Sequence, residues 1–403
     1  TNQQQLPKDI LKNLKLNFLD NFNLNKSSKV AYVSSMAPVE ILKAFGFKLF
    51  FPENHAVIIG SKRLELLNIQ ETLKTKGYSE NCCSYMLTDT GSYLRQNSPL
   101  SDFKLPPKPD LIVYNTNQCI EIKQWLNFYA SFYKVPIYGI ETPHSINKNN
   151  KIIIECVVKQ IENLIENIEK DFNIKLNRDY LKEIVTNSNE CSKLWQEILN
   201  LNKINPVPIT FFDHCNFMAA SVFFRGELKA NDFYLLLLKE LKEQIKQEST
   251  ERKKDQYRLI WAGLPVWGRL KYMSTLFSSL NTSLVNSIYA SSWVFDLDEN
   301  DPIESLAKAY THLFINLTDN EKELFIINLV QQWSADGIIF HHSVSCKRNS
   351  DNYYGLSKRL LDTYNIPSFT FEADHCNLKL FNNKQFSTLT EALLDQIEGK
   401  RRK

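Results

Sequence analysis

Eight cysteines, at positions 82, 83, 119, 156, 191, 215, 346 and 376, hold most of the latent reactivity of this 403-residue sequence. They are too few and too unevenly placed for a disulfide scaffold, and a reducing compartment keeps them as thiols. Three stand where the sequence turns into a helical pattern: Cys83 in NCCSYMLTDTGSYL, Cys119 closing DLIVYNTNQC and Cys346 closing DGIIFHHSVSC. A thiolate there is favoured by the positive end of the following helix. After a parallel strand it also faces the crevice where open sheets bind ligands. Three such thiolates can converge on one metal centre, iron-sulfur or zinc. Their spacing excludes a compact CxxC finger, and a cluster held by distant cysteines has no regular spacing to detect, so spacing alone leaves three ordinary buried thiols open as a reading. Cys156 and Cys191 lie in helical patterns and read as core. Cys215 in FFDHCNFM and Cys376 in EADHCN each follow Asp-His. A second metal site there competes with His214 and His375 satisfying backbone carbonyls.

The elements that must position these thiols alternate in a βαβ rhythm. Apolar, β-rich runs fall at 30–34, 47–51, 111–114 and 137–140, with helical patterns over 61–76 and 120–133. Residues 150–250 carry long helical patterns instead, over 152–172 and 180–201. The alternation resumes at 258–262 and 283–289, continues through a helical pair across 303–333, then 337–340 and 368–371, and closes with a helix near 389–398. The reading is an α/β protein of two pseudo-duplicated parallel-sheet domains, flavodoxin- or Rossmann-like, with a helical insert between them and N-terminal helices. Its expected divisions are 1–28 (N-terminal helical segment), 29–149 (first α/β domain), 150–254 (helical region) and 255–403 (second α/β domain). The duplication can be counted. Asp110 and Asp336 are 226 apart, Cys119 and Cys346 are 227 apart, and Pro136, Glu141 and His144 precede Pro367, Glu372 and His375 by 231 each. Matched landmarks in one order, with little drift, indicate a repeated unit.

Composition bounds the partners. With 43% hydrophobic residues the chain can bury a large core, and 48 basic against 45 acidic residues leave a net charge of +3, too small to draw it to nucleic acid or an anionic membrane. The Lys400 to Lys403 basic run reads as a solvated tail. No apolar stretch approaches the roughly 18 to 20 residues of a membrane span, and the first thirty residues are polar rather than signal-like, so a cytoplasmic protein is expected. Neither GxxxxGK[ST] nor GxGxxG occurs, so the chain lacks a recognisable phosphate loop.

The runs KVAYVSSMAPVEILKAFGFKLFFPENHA, GYSENCCSYMLTDTGSYL, DLIVYNTNQC, DGIIFHHSVSCKRNS and IPSFTFEADHCN together resemble the cluster-bearing subunits of the benzoyl-CoA reductase and 2-hydroxyacyl-CoA dehydratase family, over residues 29–398. The resemblance implies two α/β domains plus helices and a [4Fe-4S] cluster on Cys83, Cys119 and Cys346 with one iron open, Cys82 being a possible substitute for its neighbour. The family usually carries an acidic or polar residue where Cys376 stands. The resemblance further implies one-electron, radical chemistry on an acyl-CoA: loss of a hydroxyl in the dehydratases, partial saturation of a ring in the reductases. Electrons come from a separate ATP-hydrolysing iron-sulfur activator, in keeping with the missing phosphate loop, and a homologous second subunit or a homodimer partner is expected.

Ser35, just past the first strand, and Glu53, in FPENHA past the second, resemble the family's substrate-contacting serine and acid. Glu53 is expected as proton donor or acceptor and Ser35 as a hydrogen-bond donor to substrate. Glu53 could instead cap a helix, His55 could be the acid, and His341 and His342 could tune the cluster. PENHA and SCK incline the reading towards the reductase branch. Alternatives are a double-cubane small-molecule reductase and a non-catalytic, electron-relaying partner subunit.

Overall fold

The computed structural model describes residues 9, 11–12, 28–62, 66–79, 81–95, 106–147, 150–248, 254–351, 353 and 355–402. Most of the expected 1–28 segment lies outside them, but Asp9, Leu11 and Lys12 are helical and Leu11 is buried in the core.

Among the described residues eight strands form two four-stranded sheets. The first comprises β1 (Val30–Val33), β2 (Lys48–Phe50), β3 (Leu111–Asn115) and β4 (Ile137–Ile140), and the second β5 (Tyr257–Ala262), β6 (Thr282–Ser287), β7 (Gly337–Ser343) and β8 (Ser368–Ala373). Their orders are β2-β1-β3-β4 and β6-β5-β7-β8, the same permutation, and every pairing is parallel. The central strands VAYV, LIVYN and YRLIWA are buried throughout, which is why they read as continuous apolar runs rather than alternating ones.

The duplication extends to hydrogen bonds. Asp110 Oδ2 accepts from Val30 N at 2.8 Å, and Asp336 Oδ2 accepts from Arg258 N at 2.9 Å, so the same carboxylate ties β3 to β1 and β7 to β5. The carbonyls of Pro136 and Pro367 both accept at 3.0 Å, from Ile112 and Ile338, at the start of the third and fourth strands.

Between the sheets in sequence, five helices fall among the described residues, of which Lys151–Phe172 and Arg178–Leu201 are the first two. In Lys151–Phe172 the residues Ile154, Val157, Ile161, Leu164, Ile165 and Ile168 form one buried stripe at three- and four-residue spacing. Cys156 falls off that stripe and is exposed, which corrects its reading as core, whereas Cys191 is buried. The helix expected over 61–76 is instead two, Pro52–Lys62 and Leu66–Lys74. Proline is pre-organised for a first helical turn, so the first of these begins directly after β2 and carries Glu53 in that turn. The closing helix runs over Asn383–Arg401, longer than expected, because the Asn382 side chain caps it by accepting from Gln385 N. Among the described residues no helix is long and apolar enough to cross a membrane.

Candidate active site between the two sheets

The carboxyl ends of both sheets open onto one cavity. Its walls include Ser35 after β1, Glu53 after β2, Gln118 and Cys119 after β3, Gly263 and Leu264 after β5, Tyr289 after β6, Cys346 after β7 and His375 after β8, together with Cys83. Counted to its open mouth it encloses ≈ 1190 Å³ of empty space. Parallel sheets gather functional side chains at this end because each strand there hands over to a loop and a helix.

The three cysteines occupy equivalent local settings. Cys83 is the residue before the Ser84–Leu94 helix, Cys119 stands two before Glu121–Tyr133, and Cys346 immediately precedes Lys347–Asp351. Burial first, then the neighbouring Cys346 and Cys119, push the Cys83 thiol well up. Cys119 is raised to about 11 by burial, and Cys346 to about 12 by burial and then by Cys119. In each case the backbone amide three residues on, that of Met86, Ile122 or Asn349, works in the opposite direction and favours the thiolate. Among the described residues no three His, Cys, Asp or Glu side chains close on one point as the ligands of a single metal ion. Cys82 is half-buried and does not line the cavity.

Glu53 does not cap its own helix. Its Oε2 accepts from Ser35 N at 2.6 Å and its Oε1 from Gln118 Nε2 at 3.2 Å, so it joins the loops after β1 and β3. Burial raises its pKa, partly offset by those two donors and by Arg225. The Ser35 hydroxyl donates to Asn54 Oδ1 at 3.1 Å. His55, one residue further along, faces away: its Nδ1 lies 2.6 Å from Asp89 Oδ1, whose other oxygen accepts from Trp125 Nε1 and Tyr129 OH, and it is absent from the described cavity walls. The structure therefore brings Ser35 and Glu53 to the cysteines and sets His55 apart, in a buried polar cluster.

His341 and His342 are not among the described cavity walls either. The Nδ1 of His341 sits 2.6 Å from Leu264 O and its ring stacks on Phe371, while burial lowers its pKa to about 4; His342 stacks on Tyr353. The histidine at the site is His375. Its Nδ1 lies 2.6 Å from Ser343 Oγ, and its Nε2 lies 2.9 Å from Ser84 Oγ and 3.9 Å from Cys83 Sγ. Next to it, burial alone would raise Asp374, but His375 and donors from Ser345, Cys376 and Asn377 hold it at about 2. Ser84 N in turn donates to Ser345 Oγ at 3.1 Å, which ties the Cys83 helix to the residue before Cys346. Cys376 is fully buried with its sulfur 3.9 Å from Ala56 O, and His214 turns to Asn202 at 3.2 Å.

Reading the sequence missed this serine-aspartate-histidine network and also Arg225. That guanidinium, buried, donates to the carbonyls of Ser35 at 2.8 Å and Ala37 at 3.2 Å and to Tyr310 OH, beside the buried Glu40 carboxylate. It thereby fixes the loop carrying Ser35 from the helical region. The repeated Asp-His before Cys215 and Cys376 and the match of His144 to His375 between the halves were the available signals for His375; nothing in the sequence flagged Arg225.

Residues 34–397 match the family model described as 2-hydroxyglutaryl-CoA dehydratase, D-component. The chain is 26% identical over 380 residues to the (R)-2-hydroxyisocaproyl-CoA dehydratase alpha subunit of Clostridioides difficile, covering 93% of this chain and 91% of that protein. It is 26% identical over 387 residues to the lactoyl-CoA dehydratase subunit alpha of Anaerotignum propionicum, covering 92% and 91%. To a benzoyl-CoA reductase subunit of Thauera aromatica it is 24% identical over 400 residues, covering 95% and 92%. With a match running almost from end to end and the duplicated parallel sheets expected of it, this chain belongs to the 2-hydroxyglutaryl-CoA dehydratase D-component family.

Proposed function

We propose that this chain holds one [4Fe-4S] cluster on Cys83, Cys119 and Cys346 and acts on a CoA thioester in the adjoining cavity. The observation that carries the reading is that three cysteines remote in sequence, Ser35 and Glu53 all line one cavity between the sheet ends. The donor set fits the group. Three soft sulfur ligands, each met by an amide that favours its thiolate, are spread around a space rather than closed on a point, which suits a polynuclear centre better than a single tetrahedral ion. Bound there, a cluster with three thiolate ligands supplies low-potential one-electron chemistry and an iron with a free coordination position.

The chain's own residues do the rest. Ser35, on a loop held by Glu53 and Arg225, orients a substrate oxygen by turning its hydroxyl from Asn54 to that oxygen. Glu53, kept protonated to higher pH than an ordinary carboxyl, gives up or takes a proton beside it. The aromatic walls exclude water. Relatives named as dehydratase alpha subunits and as a reductase subunit match at similar identity, so the proposal commits to what those names share, action on a CoA thioester as one subunit of an assembly; to this it adds electron-driven chemistry with a separate ATP-hydrolysing activator as electron source.

The test is anaerobic assay of the enzyme with its partner subunit, an ATP-dependent activator and a panel of 2-hydroxyacyl-CoA and aryl-CoA thioesters. The expected result is product that requires ATP and reductant, an alkenoyl-CoA or a partly saturated ring marking the branch. No change in any thioester would overturn the reading in favour of an electron-relaying subunit.

A further inference from the structure

Resting on that reading and deepening it, we propose that the acyl group admitted to this cavity is uncharged and apolar or aromatic, without a second carboxylate. Among the described residues the walls are built from rings such as Trp125, Tyr289, Trp293, Phe314 and Tyr353, and the charged side chains among them are both acidic, Glu53 and Glu121. No lysine or arginine lines the cavity among those residues.

The arginines close by are committed elsewhere, and the charge of Lys347 is met by Glu121 of the wall. Arg225 points into the carbonyls of Ser35 and Ala37, and Arg348 Nη2 donates to Ile315 O at 2.6 Å. Lys347 lines a separate groove with Glu71 and Asp374.

Two of the polar wall atoms are buried acceptors without a partner. Gln118 gives its Nε2 to Glu53, which fixes the amide and leaves Oε1 buried without a hydrogen-bond partner; Asn349 Oδ1 is buried in the same state. Such oxygens take an O–H or N–H from a substrate and repel a carboxylate, and an unpaired carboxylate buried among aromatic rings is strongly disfavoured. The cavity therefore selects by shape and apolarity, with no cation to meet a second carboxylate and with these two oxygens directed at a hydroxyl or amide.

Calorimetric binding on the cluster-loaded enzyme with its partner subunit, under anaerobic conditions, tests this with 3-phenylpropanoyl-CoA, 4-methylpentanoyl-CoA and glutaryl-CoA. These thioesters lack a 2-hydroxyl, so affinity is read apart from turnover. The first two are expected to bind at least about tenfold tighter than glutaryl-CoA. Ser292→Lys, which adds a cation at a half-buried wall position, is expected to tighten glutaryl-CoA at least about tenfold. Glutaryl-CoA binding as tightly as the apolar thioesters to the unsubstituted enzyme would overturn the inference and leave the thioester reading standing. Failure of all three to bind would overturn both.

Discussion

His375 Nε2 lies 3.9 Å from Cys83 Sγ and 2.9 Å from Ser84 Oγ, so a side chain at the end of β8 grips the helix that presents the first sheet's neighbouring cysteine. The same helix start is held by Ser345, next to Cys346, and Ser345 is held by Asp374 at 2.5 Å. Cys83 and Cys346 are thus positioned by one buried network spanning both halves. Asp374→Asn weakens it. Because the Asp374 pKa is depressed to about 2, its contribution is fully present above the ordinary carboxylate pKa and is lost as pH falls through about 2. The substitution is expected to cost about 2 kcal/mol at neutral pH and to lower the iron retained per chain. Urea unfolding together with iron assay checks both; unchanged iron in a stably folded variant would deny the network its positioning role.

Arg225→Met leaves Glu40 buried without its cation, a change of the kind that costs about 3–5 kcal/mol. Removing both charges with Arg225→Met and Glu40→Leu together is expected to recover much of that loss. A double-mutant cycle in urea measures the coupling, and additive losses would show that the two groups do not act as a pair.

Glu53→Gln is expected to lower turnover by about 10²–10⁴-fold while leaving iron content unchanged. Burial holds the Glu53 proton to higher pH than an ordinary glutamic acid, so an acid role makes the rate fall as pH rises through that raised value, and the glutamine variant loses this limb. A variant that loses iron in step with activity would mark Glu53 as structural.

His214 is buried and held at about 3, which keeps it neutral in the folded chain while an unfolded histidine gains its proton near 6.5. Its contribution to stability is present above that value and erodes as pH falls, by about 2 kcal/mol at pH 5. His214→Gln should flatten the stability profile between pH 4.5 and 6.5. An identical slope in the variant would assign the acid sensitivity to other groups.

The central architecture was legible because buried parallel strands announce themselves as apolar runs and because the second half repeats the first: Asp110 and Asp336 make the same bond, and Cys119 and Cys346 follow equivalent strands. Ser35 and Glu53 could be placed at strand ends for the same reason. What stayed hidden depends on contacts across the chain. His55 is drawn to Asp89 on another helix, Arg225 reaches Ser35 across 190 residues, and His375 meets Cys83 across 292; no local pattern encodes such distances. Cys156 was misread because helical periodicity alone does not say which face is covered until the stripe of Ile154, Val157 and Ile161 is aligned with its partner.

The most direct test of the account is the iron and acid-labile sulfide content of anaerobically purified enzyme carrying single serine substitutions at Cys83, Cys119 and Cys346, beside Cys156→Ser and Cys215→Ser. About four iron and four sulfide are expected per unsubstituted chain, sharply reduced by each of the first three substitutions and unchanged by the last two. Full iron in Cys83→Ser and Cys346→Ser, or iron well above about four per chain in the unsubstituted protein, would contradict the three-cysteine centre.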